Sequence, residues 1–397
     1  MVTEAAALSS SQSNDPELIA KINKISTVVA AMWMTVIGTL GILFLPLMVG
    51  GIINELGFIE KQAGYIAAAE MAGVAMASGL GIFWVRRVNW VTVSILATIA
   101  FMAANWASTG ITEYWPMLVS RFVVGAASGA LLAVGLACQS DSKNADRIFG
   151  YWVACQMTVS SAGYLLLPSI REIWGLDGFL FALIILGATA FVSLAFLPTR
   201  GLNRISAQEK QKNTILTSSL ALAGALLFFM AQGGLWAFLE RIGLVADLTT
   251  TQIGFALAVS SYLGIVGGLA KNWLADAAGM LSPFIIVIVG EVIMLIVFAT
   301  TSSNIMFLVA VCMLQFFWAM GMASLLGGLN IIDKSGGLVL LLMSVAKAGY
   351  SLGPALMGWL IIADDYSNVI FASGVLVVVG MSTAVMLIKI RMKPSSQ

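Results

Sequence analysis

Long apolar runs separated by short polar joints make up this chain. They lie near 26–54, 62–85, 90–110, 115–138, 148–170 and 178–197, then near 214–239, 251–273, 281–300, 304–329, 336–362 and 367–390. Each reaches about 18 residues or more, enough to cross a bilayer as a helix at roughly 1.5 Å per residue. The period-two alternation of a membrane barrel is missing, so helices are the expected spanning structure. The pattern predicts an all-α membrane protein with twelve transmembrane helices. The longest polar joint, 199–213 (TRGLNRISAQEKQKN), divides it into two six-helix bundles, residues 26–198 and 214–391, with tails at 1–25 and 392–397.

Composition agrees with this reading. Of 397 residues, 60% are hydrophobic and 10% charged, whereas soluble domains carry roughly a quarter charged residues. The stretch 1–25 lacks the basic-then-apolar order of a signal peptide and reads as a cytoplasmic tail. With the N-terminus inside, fifteen lysines and arginines fall on the cytoplasmic side and only Lys61, Arg171 and Arg241 outside, the expected positive-inside bias. Both termini are therefore expected in the cytoplasm. The net charge of +1 gives no reason to expect a nucleic-acid partner. There is no histidine, and Cys138, Cys155 and Cys312 form neither a disulfide framework nor a zinc spacing. No catalytic set, metal-ligand cluster or cofactor loop is present, and no extramembrane segment is large enough to be an enzyme domain.

The two halves repeat. Gln62-Ala-Gly64-Tyr65 opens the second segment, and Gln252-Ile-Gly254-Phe255 opens the eighth. Ala162-Gly163-Tyr164-x-x-x-Pro168 in the fifth returns as Ala348-Gly349-Tyr350-x-x-x-Pro354 in the eleventh, at nearly the same offset along the chain. Repeated halves around a central site are a common plan for secondary transporters.

Between segments two and three stands Gly81-Ile-Phe-Trp-Val85-Arg86-Arg87, and in the fourth Arg121-Phe-Val-Val-Gly125-Ala-Ala-Ser-Gly129. With these motifs the chain resembles the major facilitator superfamily over its length after residue 25. Val85 occupies the position of the family's loop aspartate, which removes the acid from which the family's loop-to-helix charge lock is made. The second-half counterpart keeps an acid, Asp276, after Gly268 and Lys271. Arg121, Gly125 and Gly129 share one helix face, so small residues let a neighbouring backbone approach closely. The drug/proton antiporters of the family carry a Gly-Pro motif in the fifth helix; here Gly163 and Pro168 are separated. The resemblance implies a cavity lined by helices one, four, seven and ten, offering Trp33, Thr35, Gln232, Trp236, Gln315 and Trp318, with Gln156 of helix five in reach.

Glu70, Arg121, Glu291 and Lys347 lie well inside spans, each at a cost of about 2.5–3.5 kcal/mol on insertion scales. Glu70 and Arg121 sit at similar depth in helices that the resemblance places in one bundle, so they are expected to meet. Lys347, with Ser344 and Ser351 on its face, is expected to line a wet cavity. Glu291 has only apolar helix neighbours and receives no role. The expected function is a secondary transporter, monomeric, in a bacterial cytoplasmic membrane. It moves a small organic anion between Arg121 and Lys347, with protons coupled through Glu70 and Arg121. The alternatives are proton-antiport efflux of lipophilic or cationic compounds, and a non-transporting sensor or scaffold.

Overall fold

The computed structural model describes residues 16–202, 215–300, 303–332 and 337–392. Among these residues nine helices are long and apolar enough to cross a membrane, and no strand is present. The expected segments are all helical, but three are built differently. The first crossing is broken into α2 (Ile25–Ile37), α3 (Leu40–Leu43) and α4 (Leu45–Leu56), and a short α1 (Pro16–Ile22) precedes it. Part of the expected N-terminal tail is therefore helical, with Ile22 buried. The tail 392–397 and the joint 199–213 lie mostly outside the described residues.

The second to fourth crossings are α5 (Glu60–Gly79), continued by α6 (Gly81–Trp84), then α7 (Trp90–Ser108) and α8 (Tyr114–Ser140). The fifth and sixth share α9 (Ala145–Ala188), followed by α10 (Ala190–Leu194). The expected loop at 171–177 is instead a single non-helical residue, Gly175, with φ 64°. Glycine takes this left-handed conformation freely, and the Glu55 carboxylate accepts the N–H of Leu176 there. Arg171, placed by sequence in an exposed loop, is consequently helical and buried.

The second half runs α11 (Ile215–Ala237) with α12 (Leu239–Val245), α13 (Thr250–Ala278), α14 (Ser282–Ala299), α15 (Asn304–Ile332), α16 (Gly337–Leu360) and α17 (Ser367–Met392). The face where α2 starts and α17 ends is here the near face; the opposite one is the far face.

Glycines set the tightest packing within the first half. A Cβ on Gly125 would lie 1.9 Å from the backbone oxygen of Glu70, and one on Gly73 would lie 2.3 Å from that of Phe122. Only hydrogen fits, so α5 and α8 meet backbone to backbone, as the small-residue face of the fourth segment predicts. One apolar core runs from the first half into the far-face helix ends of the second, through Phe44, Tyr164, Phe238 and Phe307. A separate core around Phe228, Phe229 and Phe284 fills the near-face part of the second half, and its buried members all belong to that half.

The near-face loop holds a lock after all. Arg86 donates to both oxygens of Asp141, at 2.5 and 2.9 Å, and Asp141 also accepts the N–H of Leu202 at 2.8 Å. The arginine makes this tie between the loop and the end of α8, so Val85 in place of an acid does not abolish it.

Candidate functional site

The seam between the halves is sealed on the far face by groups that the broken first crossing exposes. Pro46 has no N–H, so the carbonyl of Ile42, four residues earlier, lacks its helical partner. Trp236 Nε1 takes that carbonyl at 2.8 Å from the second half. The Tyr164 hydroxyl donates to the next carbonyl, Leu43, and its ring stands edge-on to Trp236 at 6.2 Å. Unpaired backbone oxygens in a membrane protein must find donors; here the donors come from two other helices, and Trp236, bonded to Ile42 O and packed on Tyr164, ties the halves together.

One turn beyond Pro168, Arg171 donates to Leu47 O at 2.7 Å and to both oxygens of Glu240, one at 3.0 Å. Its Nε lies 3.6 Å from Glu55. Glu240, at the start of α12, is 1% exposed, and its carboxylate rests on Gly50, where a Cβ would approach it to 2.6 Å. Closer to the far surface, Arg241 donates to Asn54 and, at 2.8 Å, to Asp364. Sequence reasoning missed this cluster because it read Arg171 as a loop residue and stopped the seventh span at 239. A basic and an acidic residue at the far ends of segments five and seven were the available signal.

The repeated motifs become two glycine crossings. Gly64 of α5 lies against Pro354 of α16, and its Cβ would fall 2.5 Å from Pro354 O. Gly254 of α13 lies against α9, and its Cβ would fall 2.5 Å from Tyr164 O. Pro168 leaves that Tyr164 carbonyl without its helical donor. The glutamines of the motif cap their helices: Gln62 Oε1 accepts Ile59 N–H at 3.3 Å and Gln252 Oε1 accepts Thr249 N–H at 2.9 Å.

Toward the near face each seam ends in polar contacts. Ser160 and Ser261 meet at 3.1 Å between α9 and α13. Between α5 and α16, Ser351 donates to Ala68 O at 2.9 Å and Lys347 Nζ donates to Ser78 Oγ at 2.7 Å. Lys347 is half-buried. Among the described residues no carboxylate stands within ion-pair distance of it. One turn from Ser160 toward the near face, Gln156 is buried and its Oε1 has no hydrogen-bond partner among the described residues.

Glu70 and Arg121 come together, with Nη1 and Oε2 3.9 Å apart. Arg121 is 0% exposed and its guanidinium turns into α7, toward Asn105 at 3.1 Å and Ser108 at 2.6 Å. The Glu70 carboxylate faces Gly41 of α3, whose Cβ would meet it at 2.2 Å. Arg121 thus lies inside the first bundle, and Ser78, which holds Lys347, is eight residues or about 12 Å along α5 from Glu70. The expected clamp of Arg121 and Lys347 around one anion is not formed.

Other expected cavity residues are turned elsewhere, because a helix that is apolar all round gives no sign of which way it faces. Trp33 donates to Thr189 at 2.8 Å, beside an outer groove of the first half. Trp318 donates to the Tyr350 hydroxyl within the second half. Gln232 donates to Glu291 at 2.7 Å, so Glu291 meets a polar group of a neighbouring helix. Thr35 bonds within the first half to Gln139 at 2.6 Å. Gln315 is half-buried on α15.

The model of the Major Facilitator Superfamily matches residues 25–331. The chain belongs to the major facilitator superfamily. It is a multi-pass membrane protein of a transporter family, and the members of that family are not enzymes. YcaD of Escherichia fergusonii, an uncharacterized MFS-type transporter, is 25% identical over 249 residues, which cover 59% of this chain and 63% of that protein. The match therefore spans less than two thirds of the relative's length. Solved structures share the fold at low identity. A bacterial homologue of the human drug peptide transporters has a TM-score of 0.70 at 14% identity, covering 93% of this chain and 99% of its own. An inward-facing, occupied bacterial homologue of the lysosomal transporter Spinster has a TM-score of 0.69 at 14% identity, covering 92% and 95%. The nucleoside transporter NupG has a TM-score of 0.63 at 13% identity, covering 95% and 100%.

Proposed function

We propose that this major facilitator transporter carries a small organic anion by alternating access, that Lys347 is the cation meeting the anion, and that protons are coupled at Glu70. One observation carries the reading: Lys347 stands in the seam between the halves with a hydroxyl as its partner and, among the described residues, no carboxylate. A cation at bilayer depth costs about 2.5–3.5 kcal/mol on insertion scales, and drying the seam around it costs more. A bound anion offsets that cost and favours closure of the loaded carrier. Gln156 Oε1, on the other seam and without a partner among the described residues, can accept a hydrogen bond from a polar edge of the same cargo.

The far face is sealed by the Arg171, Trp236 and Tyr164 contacts, and the hydrogen bonds between described residues of the two halves extend no nearer to the termini than Ser78 and Ser160. This arrangement fits a carrier closed to the far side, whose transport step breaks those contacts and brings the near-face ends together. Glu70 is the coupling group because it has a cation at 3.9 Å but no fixed ion-pair geometry. When α5 and α8 shift, a proton rather than Arg121 neutralises it. The structural relatives include proton-dependent oligopeptide transporters and a nucleoside transporter, so the fold leaves the cargo open and the choice of anion rests on Lys347.

Uptake into proteoliposomes of a panel of anionic, neutral and cationic solutes, driven by an imposed pH gradient, tests this. Anions are expected to accumulate, Lys347→Gln to abolish accumulation, and Glu70→Gln to leave downhill exchange but not proton-driven uptake. Cation transport that survives Lys347→Gln would instead establish the efflux reading.

A further inference from the structure

Glu291 is the buried carboxyl that the transport scheme leaves without a use. It is 1% exposed, in the middle of α14, with Val287, Met294 and Leu295 buried along the same helix. The ring of Phe317 lies on the adjacent Gly290, where a Cβ would come within 2.0 Å of it. The carboxyl receives a hydrogen bond at 2.7 Å from Gln232 Nε2 of α11, itself 4% exposed. No hydrogen bond or ion pair joins it to a charged or titratable side chain of α11, α13, α15 or α17 among the described residues.

An ionised carboxylate with no cation in such surroundings costs several kcal/mol. One charge-assisted hydrogen bond returns about 1.5–3 kcal/mol. The neutral acid is the form the site accommodates. Protonation transfers one proton from a hydronium ion of the bulk to a carboxylate oxygen: one O–H bond forms, one O–H bond of the hydronium breaks, and a water molecule is left. Gln232 stands four residues before Trp236 and eight before Glu240, the two groups by which α11 and α12 hold the far-face seal.

We infer that Glu291 is a proton-binding site of the second half, filled in this far-closed arrangement, and that Gln232 passes its charge state to α11. Loss of the proton leaves a bare carboxylate that α11 and α14 must part to hydrate, which loosens the helix bearing the seal. This site is separate from Glu70 and does not depend on it.

Infrared spectra of the full chain in nanodiscs read the carbonyl stretch of protonated carboxyls. A buried band is expected in wild type, absent in E291Q, retained in E70Q, and retained at shifted frequency in Q232L. An identical band in wild type and E291Q overturns the site. A band that Q232L leaves unmoved overturns the link through Gln232, and Q232L carries the test alone if E291Q does not accumulate. Uptake across pH separates the two proton sites. A flattened profile in E291Q supports the assignment. An E291Q profile identical to wild type overturns it whatever E70Q does. An E70Q profile identical to wild type removes the Glu70 coupling and leaves Glu291 in place.

Discussion

The two seams that join the halves are copies in backbone but differ in how each answers its cation. In each, a glycine two residues after a capping glutamine packs on the segment around a helix proline: Gly64 against Pro354, and Gly254 against Tyr164 and Pro168. Each seam also has one cation on its proline-bearing helix. Arg171 of α9 lies at the far end and is held by Glu240, Glu55 and a backbone carbonyl. Lys347 of α16 lies toward the near end and is held by one hydroxyl. The position matching Lys347 in the repeat is Ser161, and the position matching Ser78 is Gly268, with open space beside it. A charge answered by protein charges makes a fastening. A charge left to a hydroxyl is where cargo is proposed to bind.

Removing one partner of the fastening is the harshest way to break this comparison. Arg171→Met strands Glu240 and Glu55, and the loss of a partner from a buried ion pair costs about 3–5 kcal/mol. Thermal unfolding in detergent is expected to move down accordingly, and a membrane-impermeant maleimide is expected to label Ser261→Cys faster from the far side. The double variant Arg171→Met with Glu240→Leu removes both charges and should recover much of the loss. Equal stability of the single variant and wild type would show that the pair seals nothing.

The glycine crossings give a smaller and symmetric effect. A Cβ at either Gly64 or Gly254 meets a backbone oxygen at 2.5 Å, which flexible side chains cannot relieve. Alanine at each should cost about 1–3 kcal/mol by overpacking, with similar loss of far-side closure measured by the same labelling. A large difference between the two would mean that the repeat is not a packing repeat.

What was legible in the sequence follows from these physical differences. Span lengths and the glycine face of α8 are written in local composition, so the helices and the α5–α8 seam could be read directly. The repeat was legible because capping and close approach each demand particular residues. Depth was legible as well, and it brought Glu70 and Arg121 together. Direction was not: Trp33, Gln232 and Trp318 were assigned to a cavity but turn into their own halves. Arg171 was hidden because REIWGLD reads as a polar loop, while one glycine at 175 turns the chain and keeps the arginine helical. Its partner Glu240 is 69 residues away, a pairing that no local pattern encodes.

The smallest test concerns the hydroxyl that separates the two seams. In the arrangement seen here, Ser78 accepts from Lys347 where cargo is proposed to bind, so an incoming anion must displace it. A hydrogen bond of this kind has a net worth of about 1 kcal/mol, and Ser78→Ala removes it from the empty carrier while leaving Lys347 in place. The anion should then bind about fivefold more tightly, the same energy expressed as an affinity, while the maximal rate stays near wild type. Equilibrium binding of the transported anion to wild type and Ser78→Ala, measured by calorimetry, decides the matter. Weaker binding in the alanine variant would place Ser78 among the groups that hold the cargo, and the hydroxyl would then be part of the site rather than a stand-in for the anion.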